Sequence, residues 1–486
     1  MMAVKFNLRA AGSGDAEFVF RLSNDVLVRR NSANSKEIRW EDHVKWFARM
    51  LESPDCIFFI VESDGVPIGQ VRFNRRERGW ECSGSLLPAW RGKGLSARFL
   101  RAALIRSGLP EVVGMSKVSN RIAIKPLLDN GYEFVRNETL NGEEYEVYRY
   151  LDCVFTIAEM SANHRGDFGR AKELVAAAAA SGADAVKLQT YTADTMTLDC
   201  KTGPFLISGG TLWDGMTLHE LYGRASTPWE WTAELKAYAE SLGIELFSTP
   251  FDKTAVDFLE GVKVPRYKIA SFEAVDIPLI RYTAAKGKPM LISVGVSSPE
   301  EMQEAVDACF AEGNFDVTLL KCTSAYPAKP EEMHLATIRD MVERFGSQGV
   351  RIGLSDHSLG PEVPVAAVAL GARVIEKHLT LDRPEGDAES SFALTPNEFG
   401  AMVKAAKGVL SAVGDVSYAA DPTGRRGRRS LFVAEDMKTG EVFTERNVRS
   451  VRPGDGCDPK FLPEILGKRA RCDLAKGTPM KVDYLG

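Results

Sequence analysis

Paired cysteines are missing from this chain. Its eight cysteines (Cys56, Cys82, Cys153, Cys200, Cys309, Cys322, Cys457 and Cys472) are scattered, and no C-x-x-C occurs. That spacing excludes a zinc ribbon or a disulfide framework and points to a reducing compartment. The first residues lack the apolar core of a signal peptide, and no hydrophobic run is long enough to cross a bilayer. A cytoplasmic location is therefore expected. An excess of one charge is lacking too. A net charge of −5 gives no reason to expect nucleic acid or a membrane surface as partner. The basic run Arg425-Arg-Gly-Arg-Arg429 is short and reads as a solvated linker loop. What is present is ordinary for a globular protein: 44% hydrophobic and 26% charged residues. At 486 residues the chain exceeds one core, so two or three domains are expected.

Three segments emerge. Residues 1–150 mix strand and helix patterns and are rich in charge and aromatics. Residues 152–415 repeat an apolar strand followed by a capped helix. Thr227-Pro-Trp-Glu230, Ser298-Pro-Glu-Glu301 and Thr395-Pro-Asn-Glu398 each place a hydroxyl at N-cap, proline at N1 and glutamate at N3. Glycines close helices, as in Ala180-Ser-Gly182 and Ser241-Leu-Gly243. Strands are predicted near 154–158, 184–188, 244–248, 265–269, 290–294, 317–321, 350–354 and 373–377. Eight strands, mostly roughly 20–30 residues apart, fit a (β/α)₈ barrel better than an open sheet. One interval is longer: residues 190–226 pass through Tyr191, Phe205, Trp213 and Tyr222 and read as a lid or substrate wall. Residues 428–486 form a small, turn-rich segment carrying Arg452-Pro-Gly-Asp-Gly456.

Polar residues gather at the downstream strand ends, where barrels of this kind keep their chemistry. Strand one ends in Glu159, followed by Asn163-His164. Strand two carries Lys187 and Gln189, two apart and so on one face. Strand three ends at Ser248-Thr249-Pro250, and strand four offers Lys268 and then Ser271. Ser293 follows on strand five, and Thr323, Ser324 and Tyr326 on strand six. Strands seven and eight give Ser355, Asp356, His357 and His378. Two histidines on neighbouring strands suit one shared divalent metal. Two buried lysines need anionic partners. Together they suit a small phosphorylated substrate.

In residues 1–150, Leu87-Pro-Ala-Trp-Arg-Gly-Lys-Gly-Leu-Ser96 lies between a strand and a helix beginning at Ala97. A glycine-rich backbone entering a helix offers free N–H groups to a pyrophosphate. The binding candidates are Arg91, Gly92, Lys93, Gly94, Leu95 and Ser96, with Asn120 further on.

The strings I-A-E-M-S-A-N-H, K-L-Q-T, S-T-P-F-D, Y-K-I-A-S, C-T-S-A-Y-P, G-L-S-D-H and E-K-H together resemble the sialic acid synthase family. Gln189 to Leu198 and Thr227-Pro-Trp-Glu-Trp231 look like its pseudaminic acid synthase branch. The last segment resembles that family's antifreeze-like (SAF) domain. The resemblance implies that phosphoenolpyruvate adds through C3 to the aldehyde of 2,4-diacetamido-2,4,6-trideoxy-L-altrose. Water then attacks C2, and phosphate leaves by C–O cleavage. It also implies roles. Lys187, Lys268, Thr249, Ser271, Ser293 and Ser355 hold phosphoenolpyruvate; His357 and His378 ligate Mn²⁺, Mg²⁺ or Co²⁺; Glu159 sits at the reacting centre; Gln189, Ser324 and Tyr326 meet the sugar or pyruvyl group. In the resembled family the SAF domain docks over the other subunit's barrel, so a domain-swapped homodimer with Arg452 in the sugar site is expected. Two departures stand out. The family's aspartate aligns with Glu389, with Asp387 two residues earlier, and its strand-five threonine is Val294.

Asn120 and Gly131-Tyr132, with the loop at Arg91–Ser96, are similar to GNAT acetyltransferases, which implies acetyl-CoA as cosubstrate. The final loop glycine is Ser96, and the tyrosine many of these enzymes use as general acid aligns with Leu127. The segment would acetylate the 4-amino group of a UDP-linked amino sugar. The competing reading is a legionaminic or N-acetylneuraminic acid synthase with a non-catalytic GNAT-like module.

Overall fold

Seven strands form in the first segment, where aromatic and β-branched residues concentrate in runs such as Cys-Ile-Phe-Phe-Ile-Val. They are β1 (Asn7–Ala10), β2 (Cys56–Ser63), β3 (Val66–Arg76), β4 (Gly79–Leu86), β5 (Glu111–Lys117), β6 (Glu133–Leu140) and β7 (Glu143–Leu151). The sheet order is β1-β2-β3-β4-β5-β7-β6. Only β4 and β5 run parallel, and they pair only at Glu81–Val113 and Cys82–Gly114. Beyond those pairs the two strands part, opening the middle of the sheet. Helices α1 (Ala16–Ser23), α2 (Val26–Asn31), α3 (Trp40–Glu52), α4 (Leu95–Ser107) and α5 (Arg121–Leu128) accompany the sheet. The computed structural model describes residues 6–208, 214–384, 388–414, 416, 418 and 424–486.

Each predicted barrel strand forms: β8 (Phe155–Glu159), β9 (Ala185–Thr190), β10 (Glu245–Pro250), β11 (Tyr267–Ile269), β12 (Met290–Ser293), β13 (Val317–Cys322), β14 (Arg351–Asp356) and β15 (Val374–His378). They close in parallel, with β15 beside β8. The strands are buried on both faces, which explains their near-continuous apolar runs. Helix starts follow the capping chemistry at Ser298, where the Glu301 N–H donates to the Ser298 hydroxyl and Glu301 accepts from the Ser298 N–H. At Thr395, the N–H and hydroxyl both donate to Glu398. Thr227 departs from expectation. The helix there begins at Trp231, and the Thr227 hydroxyl accepts from His164 Nε2 at 3.0 Å. His164 also accepts from the Gly166 N–H, so it is a satisfied structural histidine.

With α6 (Phe168–Ala180) preceding β9, the long interval after β9 holds α7 (Ala193–Met196) and α8 (Leu218–Ala225). His219 on α8 reaches Asp194 on α7 at 2.9 Å. The Tyr191 ring packs edge-on against Tyr222 and Phe251. Trp213 lies outside the described residues.

The sheet and the barrel belong to one compact unit, Met1–Gly414. Helix α4 joins them. The Arg98 guanidinium lies 3.4 Å from the centroid of Phe315, and Arg101 pairs with Asp316 at 2.8 Å. A Cβ on Gly346 would stand 3.0 Å from Ile105, so the approach is close. The second unit, Asp415–Gly486, pairs β16 (Ser430–Val433) with β17 (Val448–Val451). It encloses its own core around Leu431, Phe443, Ile465 and Met480. A Cβ on Gly456 would lie 2.1 Å from the Leu431 carbonyl oxygen, which restricts this turn to glycine.

Candidate active site

Register brings the polar strand ends to one level. Glu159 stands beside both His378 and Lys187, Gln189 beside Thr249, and Ser355 beside both Cys322 and Glu376. Above them lies a cavity of about 600 Å³, within the range of small-molecule sites. Glu159, Lys187, Gln189, Lys268, Ser271, Ser293, Ser355, His357 and His378 all line it.

Its floor is a network of buried charges. Lys187 donates to Thr249 Oγ1 at 3.1 Å and pairs with Glu159 at 2.9 Å. Lys268 donates to Ser293 Oγ at 2.7 Å. Glu376 lies 3.6 Å from Lys187 and 3.8 Å from Lys268, and accepts from Ser355 Oγ at 2.9 Å. Gln189 donates to Glu159 at 2.9 Å. Burial raises the Glu159 carboxyl above its ordinary range; Lys187 pulls against this and Glu376 adds to it. Burial opposes ionisation of Glu376 as well, but Lys187 and Lys268 together hold its carboxyl below the usual range. Glu376 is thus the ionised partner of two ammonium groups, and Glu159 the carboxyl that takes a proton more readily. Burial lowers Lys268, whereas Lys187 is raised because Glu159 and Glu376 outweigh the same burial.

Glu376 is the residue that sequence reasoning missed. It stands two before His378 on one strand, so the period of two already put both on the cavity face. Asp356, expected at the mouth, turns away and forms a fully buried ion pair with Lys377 at 2.5 Å. Thr249, expected to meet the substrate, is buried outside the cavity lining, where its hydroxyl accepts from Lys187. Ser324 approaches Ser271 at 3.4 Å, and Ser271 accepts from the Gly295 N–H at 2.7 Å. A Cβ on Gly295 would lie 2.8 Å from Ser324 Oγ, so this floor requires glycine. Val294 is buried. Asp387 and the side chain of Glu389 lie outside the described residues. Arg452 is exposed in the second unit, just past β17.

The two histidine rings lie 5.3 Å apart, and Tyr326 packs 4.4 Å from His357. His357 Nδ1 is 3.0 Å from the Thr323 carbonyl. A carbonyl only accepts, so Nδ1 carries the proton and Nε2 keeps its lone pair. Burial lowers both imidazoles, His378 further than His357, and keeps them neutral. Neutral imidazoles with one nitrogen fixed by a carbonyl are what a divalent ion requires of its ligands. No group of three or more His, Cys, Asp or Glu among the described residues is arranged for a metal. His357 and His378 could offer a metal two imidazole nitrogens, with water or substrate oxygens to complete its shell.

The candidate cofactor loop precedes α4. Gly92 and Gly94 have φ of 74° and 72°, and a Cβ on either would meet nothing within 4 Å. Gly94 caps α4 without a side-chain bond, and Leu95 is buried in the core. Arg91 does not project outward: it donates to the Leu86 carbonyl and pairs with Asp25 at 2.6 Å, so it braces the loop. Lys93 lies over Trp90. Asn120 precedes α5, and its carbonyl accepts from Ser116. Leu127 is buried against Gly114, where a Cβ would come within 2.8 Å of it.

Fold and cavity together define a (β/α)₈ enzyme with a desolvated, charged floor, fused to a sheet that opens between parallel strands. Residues 174–418 match the NeuB family, residues 428–482 the SAF domain and residues 25–121 the Acetyltransferase (GNAT) family. Over 331 residues the chain is 45% identical to the pseudaminic acid synthase of Helicobacter pylori, spanning 67% of this chain and 96% of that protein. To the pseudaminic acid synthase of Campylobacter jejuni it is 46% identical, covering 68% and 95%. It is 33% identical to the N,N'-diacetyllegionaminic acid synthase of Legionella pneumophila, covering 68% and 94%. A crystal structure of the N-acetylneuraminic acid synthetase of Leptospira borgpetersenii superposes with a TM-score of 0.50 at 27% identity, covering 61% of this chain and 96% of that one. The chain belongs to the NeuB family: it is a synthase of the sialic acid type carrying a GNAT acetyltransferase domain and a SAF domain. No helix among the described residues is long and apolar enough to cross a membrane.

Proposed function

We propose that the barrel condenses phosphoenolpyruvate with 2,4-diacetamido-2,4,6-trideoxy-L-altrose, giving pseudaminic acid and phosphate. The amino-terminal domain transfers acetyl from acetyl-CoA to the 4-amino group of a UDP-linked amino sugar. The observation that carries the first reading is the buried Lys187–Glu159–Glu376–Lys268 network beside paired neutral histidines. Higher identity to pseudaminic acid synthases than to the legionaminic acid synthase supports the choice of sugar.

Lys187 and Lys268, with Ser271, Ser293 and Ser355, bind the phosphate and carboxylate of phosphoenolpyruvate, and Thr249 positions the Lys187 ammonium. C3 of phosphoenolpyruvate bonds to the aldehyde carbon, whose oxygen gains a proton. Glu159, a buried carboxyl with raised proton affinity, would donate that proton and recover one from the attacking water. Water adds to C2, and the bond from C2 to the bridging oxygen breaks, releasing phosphate. Gln189, Ser324 and Tyr326 orient the sugar and the pyruvyl group. His357 and His378 would hold a divalent ion such as Mn²⁺, which would supply Lewis acidity to the condensation. In the acetyltransferase domain, Leu127 offers no proton, so another donor or water protonates the leaving thiolate.

Phosphate release with a panel of amino sugars tests the barrel, with the product's configuration read by NMR. Turnover of the L-altro sugar above all others is expected. Preference for a legionaminate or N-acetylneuraminate precursor would overturn the assignment. For the other domain, Gly94→Val places a side chain in the open space at the start of α4. It is expected to abolish acetyl-CoA binding by calorimetry while leaving phosphate release intact. Undiminished acetyl-CoA binding would move the site elsewhere.

A further inference from the structure

Helix α8 forms a cavity wall that the reaction as described does not use. Met216, Leu221, Tyr222, Arg224 and Ala225 all line the cavity whose floor carries Lys187 and Lys268. The wall is built. The Thr217 hydroxyl accepts from the Glu220 N–H at 3.1 Å, Glu220 accepts from the Thr217 N–H at 3.0 Å, and Tyr222 packs on Tyr191. Arg224 is exposed to the cavity. Among the described residues its guanidinium has no hydrogen bond or ion pair. Glu220, one turn earlier, feels its charge but is occupied by the helix cap.

We propose that α8 is the sugar-specificity wall, with Arg224 donating to an acetamido carbonyl of the acceptor sugar. The inference rests on the proposed barrel reaction. The anionic cosubstrate already has two lysines on the floor, whereas the acceptor sugar is neutral and brings amide oxygens and methyl groups. A planar guanidinium matches an amide oxygen, and Met216, Leu221 and Ala225 offer apolar surface to acetamido methyls and to a deoxy carbon. Such a wall favours deoxy, acetamido-bearing sugars over polyhydroxylated ones, because hydroxyl groups buried against it would lose their water.

The test is steady-state kinetics of the full chain with Arg224→Ala and Arg224→Lys, varying each substrate in turn. Arg224→Ala is expected to lower kcat/KM for the sugar by about tenfold to a hundredfold and to change the KM for phosphoenolpyruvate by less than about twofold. Arg224→Lys should recover part of the loss. Calorimetric binding of phosphoenolpyruvate to Arg224→Ala checks that the floor is intact. An unchanged kcat/KM for the sugar, or an equal loss for phosphoenolpyruvate, overturns the proposal. The wild-type enzyme is run on the same sugar panel. If it turns over only a different acetamido sugar, the product assignment fails, and Arg224 is judged by its effect on that sugar.

Discussion

Replacing Lys268 with methionine is expected to weaken phosphoenolpyruvate binding by about 2–5 kcal/mol, roughly thirtyfold to several thousandfold in Kd. Lys268 is buried, donates to Ser293 and lies 3.8 Å from Glu376, with little solvent to screen its charge. Methionine keeps the length of the stem and removes only the ammonium. Glu376 retains Lys187 at 3.6 Å, so the floor keeps one compensating cation. The KM for the sugar should move far less than the Kd for phosphoenolpyruvate, measured by calorimetry without sugar. An unchanged Kd would take Lys268 out of the anion site. Lys187 is the poorer choice for this test, because its removal strands the buried Glu159 as well.

Chelation is expected to abolish phosphate release, and added Mn²⁺ to restore it. Removing a ligand should cost more than removing a group that merely orients one, which already costs about 10–100-fold. His357→Ala should therefore bind Mn²⁺ more than about a hundredfold more weakly, a value read by calorimetry or electron paramagnetic resonance without substrate. The Thr323 carbonyl that fixes His357 Nδ1 argues for its neighbour Nε2 as the donor atom. Full activity in excess chelator, or unaltered Mn²⁺ affinity in the variant, would exclude the paired histidines as the metal site.

Most of the barrel was legible because its signals are local. Apolar runs marked every strand, and the downstream residue of each run told which side chains gather at the mouth. Periodicity also shows why some assignments needed coordinates. In Glu376-Lys-His378, successive side chains point to opposite faces: Glu376 joins the cavity, whereas Lys377 pairs with Asp356 behind the sheet. Thr227 carried every mark of a helix cap, but His164, 63 residues earlier, claimed its hydroxyl. Arg91 sits in a loop whose backbone pointed to pyrophosphate, yet Asp25, 66 residues away, holds its guanidinium. The partners of α4 were illegible for the same reason: Arg101 and Asp316 are 215 residues apart. Such pairings are set by tertiary packing, which no window of sequence reports.

Carriage of both domains on one chain, joined at the α4 seam, fixes a stoichiometry. The helix that opens at the glycine loop Gly92–Gly94 lies against the barrel through Arg98 and Arg101. Every copy of the synthase is therefore made with its own acetyltransferase, and neither can be expressed in excess of the other. The balance between acetylating and condensing capacity is written in two turnover numbers rather than in two promoters. A substitution that dislodges α4 is expected to disturb both halves at once, since the helix packs on each.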